Sequence, residues 1–518
     1  MFTLSSLPLA LAVLAARDVA AQATVTSTQN VQLPTSKPVS AYEVPANFPS
    51  VGFEHAFLPG YDNEFSDNMI AELGARLGEK PLIRIGGTSG DIFKYNPKQT
   101  EPADCLANDD VNNCTSADHF ILGPHWFDAL RNRFKDAQFS IQAPLDAKKD
   151  SHAAINKTNV LAFMREVYKV LDASRIDAIA LGNEINFFEI DAADAVQDSL
   201  QAAGYLTASD IPIGEGKIWE ILDTASEGTQ GSIPAPYTPK GVFNAGINED
   251  GRVKYLAEHY YQFNGKDGTV QDHLLNHAEL VEQFAKYQPH INYTRGVEKV
   301  GYIFSETGGP LGVSKEEFAL FANTLWAVNF MLYSMSHGVQ RVSLVQRPVA
   351  KRSLWIPSAG LSTPGPRVQA PWYAMPFVAD FLGKSVSGPR GVAHLPLDTN
   401  FITAYAMYEG DQISKVALVN LRNFAGQESR KAVKVRLQGL GGVEEVRIGR
   451  LHAPEGTAAG GMDVNKKEIK WQDQEWRFDV GMGKVSGEMM QKTLKVTGGV
   501  VEVVIPDSEA IIVYFKQA

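Results

Sequence analysis

The stretch Ile179-Ala180-Leu181-Gly182-Asn183-Glu184 ends an apolar run in an amide and a carboxylate. Asn-Glu occurs three times, at 63–64, 183–184 and 248–249, and only the second directly follows an apolar run. That run has the length and β-branched content of an interior parallel strand. A second run, Tyr302-Ile303-Phe304-Ser305, also ends in a carboxylate, Glu306, followed by Thr307-Gly308-Gly309. Charged side chains are seldom buried unless paired or functional. Glu184 alone has a plain alternative: a strand-end carboxylate facing solvent or capping the next helix. Two carboxylates at the same edge of a parallel sheet can share a reaction, one as an acid, the other as a nucleophile or as a base for water.

The elements that must position them alternate. Strand patterns at 50–57, 81–87, 139–145, 176–182, 241–247, 256–263, 299–306 and 340–346 are mostly separated by helical stretches near 63–77, 124–135, 159–172, 271–287, 315–336 and 369–383. In the third of those helices Leu161, Met164, Val167, Tyr168 and Leu171 share one face. Alternating strand and helix predicts a parallel sheet, and eight such units fit a (β/α)8 barrel. A doubly wound open sheet is the rival, but Arg84-Ile85-Gly86-Gly87-Thr88-Ser89-Gly90-Asp91 lacks the G-x-G-x-x-G spacing of a dinucleotide site. In a (β/α)8 barrel the reactive groups stand at the C-terminal ends of the strands, so Glu184 and Glu306 fall at one mouth.

After Gly383 the texture becomes short strands with Gly and charged turns: 415–421, 431–437, 443–451, 493–506 and 510–515. This predicts an antiparallel β-sandwich, which the strand-like segment at 23–34 joins from the other end of the chain. The expected organisation is a leader at 1–22, an N-terminal strand segment at 23–45, a barrel at 46–385 and a sandwich at 386–518. The leader has an apolar core at Leu7–Ala16, too short for a bilayer, then small residues Ala20, Ala21 and Ala23. It reads as a secretory signal without the usual positive start, and places the protein outside the cell. No other segment looks transmembrane.

The chain has 518 residues, 44% of them hydrophobic, with 48 Lys plus Arg against 59 Asp plus Glu. A formal net charge of −11 argues against nucleic acid and anionic membranes as partners. The two cysteines, Cys105 and Cys114, stand in a polar stretch and predict one local disulfide; a metal pair is the alternative, with no His or Cys partner at suitable spacing. Asn113, Asn156 and Asn292 head N-glycosylation sequons. No cofactor is expected, and oligomeric state is left open.

Paired carboxylates at one mouth suit glycoside hydrolysis: one donates a proton to the leaving oxygen, the other attacks the anomeric carbon or activates water. Four motifs then add a resemblance over nearly the whole chain. "RIGGTSGD" at strand two, "LGNEINFF" at strand four, "EHYYQFNG" at strand six and "FSETGG" at strand seven resemble glycoside hydrolase family 79 in order and spacing. That family, of the retaining (β/α)8 clan, holds secreted β-glucuronidases and heparanase. The resemblance implies Glu184 as acid/base and Glu306 as nucleophile. It implies Asn183 on the sugar 2-hydroxyl, Tyr261 holding the nucleophile, His259 lining the pocket, and Glu54, Thr88 and Gln346 at sugar-contacting positions. Ordinary packing at a strand end is the alternative for His259, Tyr260 and Tyr261. Arg84 could orient the site or form a structural ion pair.

The chain departs from the family in two places. Heparanase-like members follow the nucleophile with a Tyr-Gly pair that holds the substrate carboxylate; here it is Leu311-Gly312, which keeps a backbone amide but no hydroxyl. Glu54 stands where an Asp is expected. The implied activity is an exo-acting release of β-linked glucuronic acid, 4-O-methylated or not. A neutral-sugar β-glycosidase and an endo-acting heparanase-like enzyme remain alternatives, as does, from another class, a carbohydrate-binding protein without catalysis.

Overall fold

The computed structural model describes residues 23–104, 120–145, 156–187, 191–226, 237–266, 268–311, 315–348, 351–358, 365–384, 388–426, 429–461 and 468–515. The leader, Cys105, Cys114, Asn113 and Gly312 lie outside them.

Eight parallel strands close a barrel. They are β1 (Pro49–Phe53), β2 (Leu82–Ile85), β3 (Gln138–Ala143), β4 (Ile176–Leu181), β5 (Trp219–Thr224), β6 (Val253–Phe263), β7 (Gly301–Pro310) and β8 (Val342–Gln346). Each pairs with the next, and β8 pairs with β1. Helices return the chain between strands on the outside. The first, Glu64–Leu77, starts where the Asn63 side chain accepts from the Ser66 amide and stops at Gly78 in the left-handed region.

One strand differs from the sequence reading. The segment 241–247 is not the fifth strand: Pro239–Asn244 is a helix, capped by the Thr238 side chain on the Gly241 amide. The Thr-Pro start is itself a helix signal, an N-cap followed by proline in the first turn. The fifth strand is Trp219–Thr224, and it carries Asp223 to the mouth.

Apart from three small two-stranded pairs, the remaining strands form two sheets that share a core. The larger runs Tyr42–Glu43, Arg390–His394, Ile402–Glu409, Gln412–Asn420, Glu509–Tyr514, Glu445–His452 and Lys470–Trp471, with Lys492–Lys495 also on Glu445–His452. The smaller is Thr24–Gln32, Lys431–Gln438 and Val500–Pro506. Both chain ends therefore build this part, as expected, except that Thr24–Gln32 pairs parallel with Lys431–Gln438. Side-chain alternation divides the larger sheet between two cores. Ala404, Ala406, Val416, Leu418, Ile511 and Val513 face the smaller sheet. Tyr405, Met407, Ala417, Val419, Ala510 and Ile512 pack on the barrel's core. Helix Phe321–Ser336 is caught between the two, and all 16 of its residues are buried. Such a helix needs no polar face.

Candidate active site

Two local irregularities bring the site together. Asp223 is an extra residue in β5: Leu222 pairs with Ala257 and Thr224 with Glu258. Ser305 is an extra residue in β7: Phe304 pairs with Glu258 and Glu306 with His259. Bulges of this kind re-aim side chains beside active sites. The Ser305 hydroxyl donates to Asp223 Oδ1, so the two bulged residues lock together. In β6, alternation sends His259 and Tyr261 inward. Tyr260 points outward, among Tyr287, Phe304 and Phe330.

Glu306 is buried and held at both oxygens. The Tyr261 hydroxyl donates to Oε1 at 2.6 Å, and Arg84 Nη1 to Oε2 at 3.0 Å. Burial pushes its carboxyl up, but the charges of His259, Arg84 and Arg347 and the Tyr261 bond outweigh it and hold the pKa down at about 2. Glu306 is thus held as a carboxylate. Burial, and next Glu306 itself, push the Tyr261 phenol far up, so it stays a donor.

Arg84 joins the groups. Its Nη2 donates to Asn183 Oδ1 at 2.8 Å and to Asp223 Oδ1 at 3.3 Å. Burial disfavours its charge, yet Asp223, Glu306 and Glu220 outweigh that and raise its pKa. The glycines of "RIGG" make room for it. A Cβ on Gly86 would stand 2.9 Å from the guanidinium carbon, and Gly87, at φ +126°, would put one 2.6 Å from Glu54 Cγ.

Glu184 lies nearer the opening, its side chain 14% exposed, with His259 Nδ1 3.0 Å from Oε1. His259 Nε2 stands 3.6 Å from Asp223 Oδ1, an ion-pair distance rather than a hydrogen bond. Burial lowers the imidazole's pKa, but Glu306, Asp223 and Glu184 together raise it to about 10. His259 is therefore wedged among three acidic side chains whose charges favour its protonated form. Glu184, Leu222 and Asp223 all have left-handed backbone, at φ +44°, +81° and +40°. Non-glycine residues tolerate this only where surrounding contacts over-determine it, which is common at catalytic sites.

The structure gathers Glu184, Glu306, Asn183, His259 and Tyr261 around one mouth. Glu54 follows β1 and pairs with Arg347 at 2.6 Å, while the Ser89 amide donates to its other oxygen at 3.3 Å. Thr88 is exposed at the start of helix Thr88–Ile92. Gln346 is fully buried, and both ends of its amide engage the backbone of Leu354 and Trp355, so it shapes the loop after β8. The Leu311 amide donates to the Phe263 carbonyl at 2.9 Å. Asn156 caps helix Lys157–Val170, and Asn292 is exposed on helix Gln288–Gly296. Sequence reasoning missed Asp223, Ser305 and the pairing role of Arg347. Asp223 had a signal: like Glu184, it closes an apolar run, Ile218-Trp219-Glu220-Ile221-Leu222.

A (β/α)8 barrel with two inward carboxylates in unlike settings at its C-terminal mouth defines the class of glycoside hydrolases. Residues 404–512 match the glycosyl hydrolase family 79 C-terminal beta domain. A beta-glucuronidase of Neurospora crassa is 28% identical over 414 residues, 72% of each chain. One of Aspergillus niger is 25% identical over 556 residues, 96% of this chain and 97% of that one. Among solved structures, the 4-O-alpha-L-rhamnosyl-beta-D-glucuronidase of Fusarium oxysporum superposes with a TM-score of 0.76 at 19% identity, over 94% of this chain and 100% of that one. The domain match and the two curated relatives support a glycoside hydrolase that carries a family 79 C-terminal domain.

Proposed function

We propose that this glycoside hydrolase is a secreted, retaining, exo-acting β-glucuronidase. The observation that carries the reading is the unequal pair: Glu306 buried and ionised under Tyr261, Arg84 and His259, and Glu184 at the more open edge. Environments that separate two carboxyl groups assign them different roles. Glu306 attacks the anomeric carbon while Glu184 gives its proton to the leaving oxygen. In the second step Glu184 takes a proton from water, which releases the sugar from Glu306 with its β configuration kept. Asn183, fixed by Arg84, stands beside the pair to bind the sugar 2-hydroxyl. Two beta-glucuronidases among the relatives support the uronate. The apolar leader at 1–22 supports export.

Leu311, in place of the tyrosine of heparanase-like members, favours a neutral-sugar β-glycosidase as the second reading. A panel of aryl β-glycosides decides between them. The glucuronide is expected to exceed the glucoside, xyloside and galactoside by at least about 10²-fold in kcat/KM, about 2.7 kcal/mol in the transition state. Equal turnover of glucuronide and glucoside would put the neutral-sugar reading in its place. NMR of early product should show the β anomer first.

A further inference from the structure

The loop after β8 brings two arginines to the mouth, and they differ in one respect. Arg347 is committed, its Nη2 2.6 Å from Glu54 Oε1. Arg352 is buried, only 8% exposed, and among the described residues it makes no hydrogen bond and no ion pair. Its guanidinium carbon lies 5.5 Å from the centre of the Tyr261 ring, whose hydroxyl holds the nucleophile. Its arm passes Gly308, two residues after Glu306: a Cβ there would stand 3.4 Å from Arg352 Cδ and 2.9 Å from the Tyr261 ring.

A desolvated cation without a counter-charge is unfavourable. Burial lowers the pKa of Arg352, and although Tyr261, Glu306 and Glu54 pull it up, the like charge of Arg347 adds to the lowering. An anion brought by the substrate would relieve that. Guanidinium offers a planar fork that matches a carboxylate at two points. The Tyr261 face, the nucleophile beyond it and an unpaired fork above it define where a sugar acid would lie.

We infer that Arg352 receives the C6 carboxylate of the substrate and sets the preference for a uronate over a neutral sugar. This rests on the glucuronidase reading, which it deepens. It also supplies the donor that Leu311 cannot.

The test compares wild type and Arg352→Gln on three aryl β-glycosides: the glucuronide, its methyl ester and the glucoside. Wild type should prefer the glucuronide over both neutral substrates by at least about 10²-fold. In the variant, glucuronide kcat/KM should fall by about that factor, while the methyl ester and glucoside change by less than about threefold. D-Glucuronate should raise the unfolding midpoint of wild type and not of the variant. If wild type shows no preference, the glucuronidase reading fails and this inference with it. If wild type prefers the glucuronide and the variant keeps that preference, the inference alone fails. Equal loss on all three substrates would also overturn it, because Arg352 would then act through Tyr261 and Glu306. Arg352→Met fills the space without charge and serves if the Gln variant does not fold. Failure of both to fold would make the cation structural and overturn the assignment.

Discussion

The backbone N–H of Glu184 donates to the carbonyl of Asp223 at 2.7 Å, tying the end of β4 to the bulge of β5. Both residues are in the left-handed region, and the side chain of Asp223 also meets Arg84 and Ser305. The end of one strand thus takes its geometry from the next strand.

Asp223→Ala should be the most damaging change outside the two glutamates. It leaves Arg84 with fewer anions and Ser305 without its acceptor. Breaking a buried ion pair from one side costs about 3–5 kcal/mol. Chemical denaturation should show a loss of that order, together with a large fall in kcat. Asp223→Asn keeps the shape and should cost less stability. Because it removes a charge that keeps His259 protonated, it should move the alkaline limb of the rate profile to lower pH. A profile unchanged in Asp223→Asn would separate Asp223 from the imidazolium.

The two glutamates should separate kinetically. Glu306→Ala should abolish turnover whatever the leaving group, since no glycosyl-enzyme can form. Glu184→Ala should still form that intermediate from a dinitrophenyl glycoside, which needs little protonation to leave. Azide should then restore part of the second step and yield the β-glycosyl azide. Equal inactivity of Glu184→Ala on activated and unactivated glycosides, with no azide effect, would falsify the roles.

Tyr261→Phe removes the 2.6 Å bond to Glu306 Oε1. A hydrogen bond to a charged group contributes about 1.5–3 kcal/mol. Activity should fall by about 10- to 100-fold. The bond is one of the contacts holding the Glu306 pKa down, so the acid limb of kcat/KM should move to higher pH. An acid limb that stays in place would reduce Tyr261 to packing.

Stability should depend on pH through two groups of opposite sign. His259 is raised from 6.5 to about 10, so its contribution is complete below 6.5 and is lost as pH climbs through about 10. Glu306 is lowered from 4.5 to about 2, so its contribution is complete above 4.5 and is lost as pH falls through about 2. Both are complete only between 4.5 and 6.5. Unfolding midpoints measured across pH should be highest for this cluster in that window. His259→Gln should flatten the alkaline decline and, because the His259 charge also helps hold the Glu306 pKa down, weaken the acid decline as well. An alkaline decline of the same size in the variant would assign it to other groups.

The sequence alone determined where chemistry could stand. An apolar run that ends in Asn183-Glu184, and another that ends in Ser305-Glu306, mark strand ends through local composition, which needs no knowledge of neighbours. The change of texture after Gly383 likewise marked the sheets. It was weakest where local signals conflict: 241–247 has strand-like residues, yet Thr238 and Pro239 begin a helix there, and the true fifth strand went unread with Asp223 on it. Only the tertiary structure decided which groups meet. Arg84 reaches Glu306, Asn183 and Asp223 because the closed barrel brings β2, β4, β5 and β7 round one axis. His259 faces Glu306 because Ser305 bulges out of register. That Arg352 makes no ion pair among the described residues is an outcome of packing as well, since Glu54 meets Arg347 instead. Closure, bulges and register are settled by all eight strands packing at once, and no window along the chain contains that information.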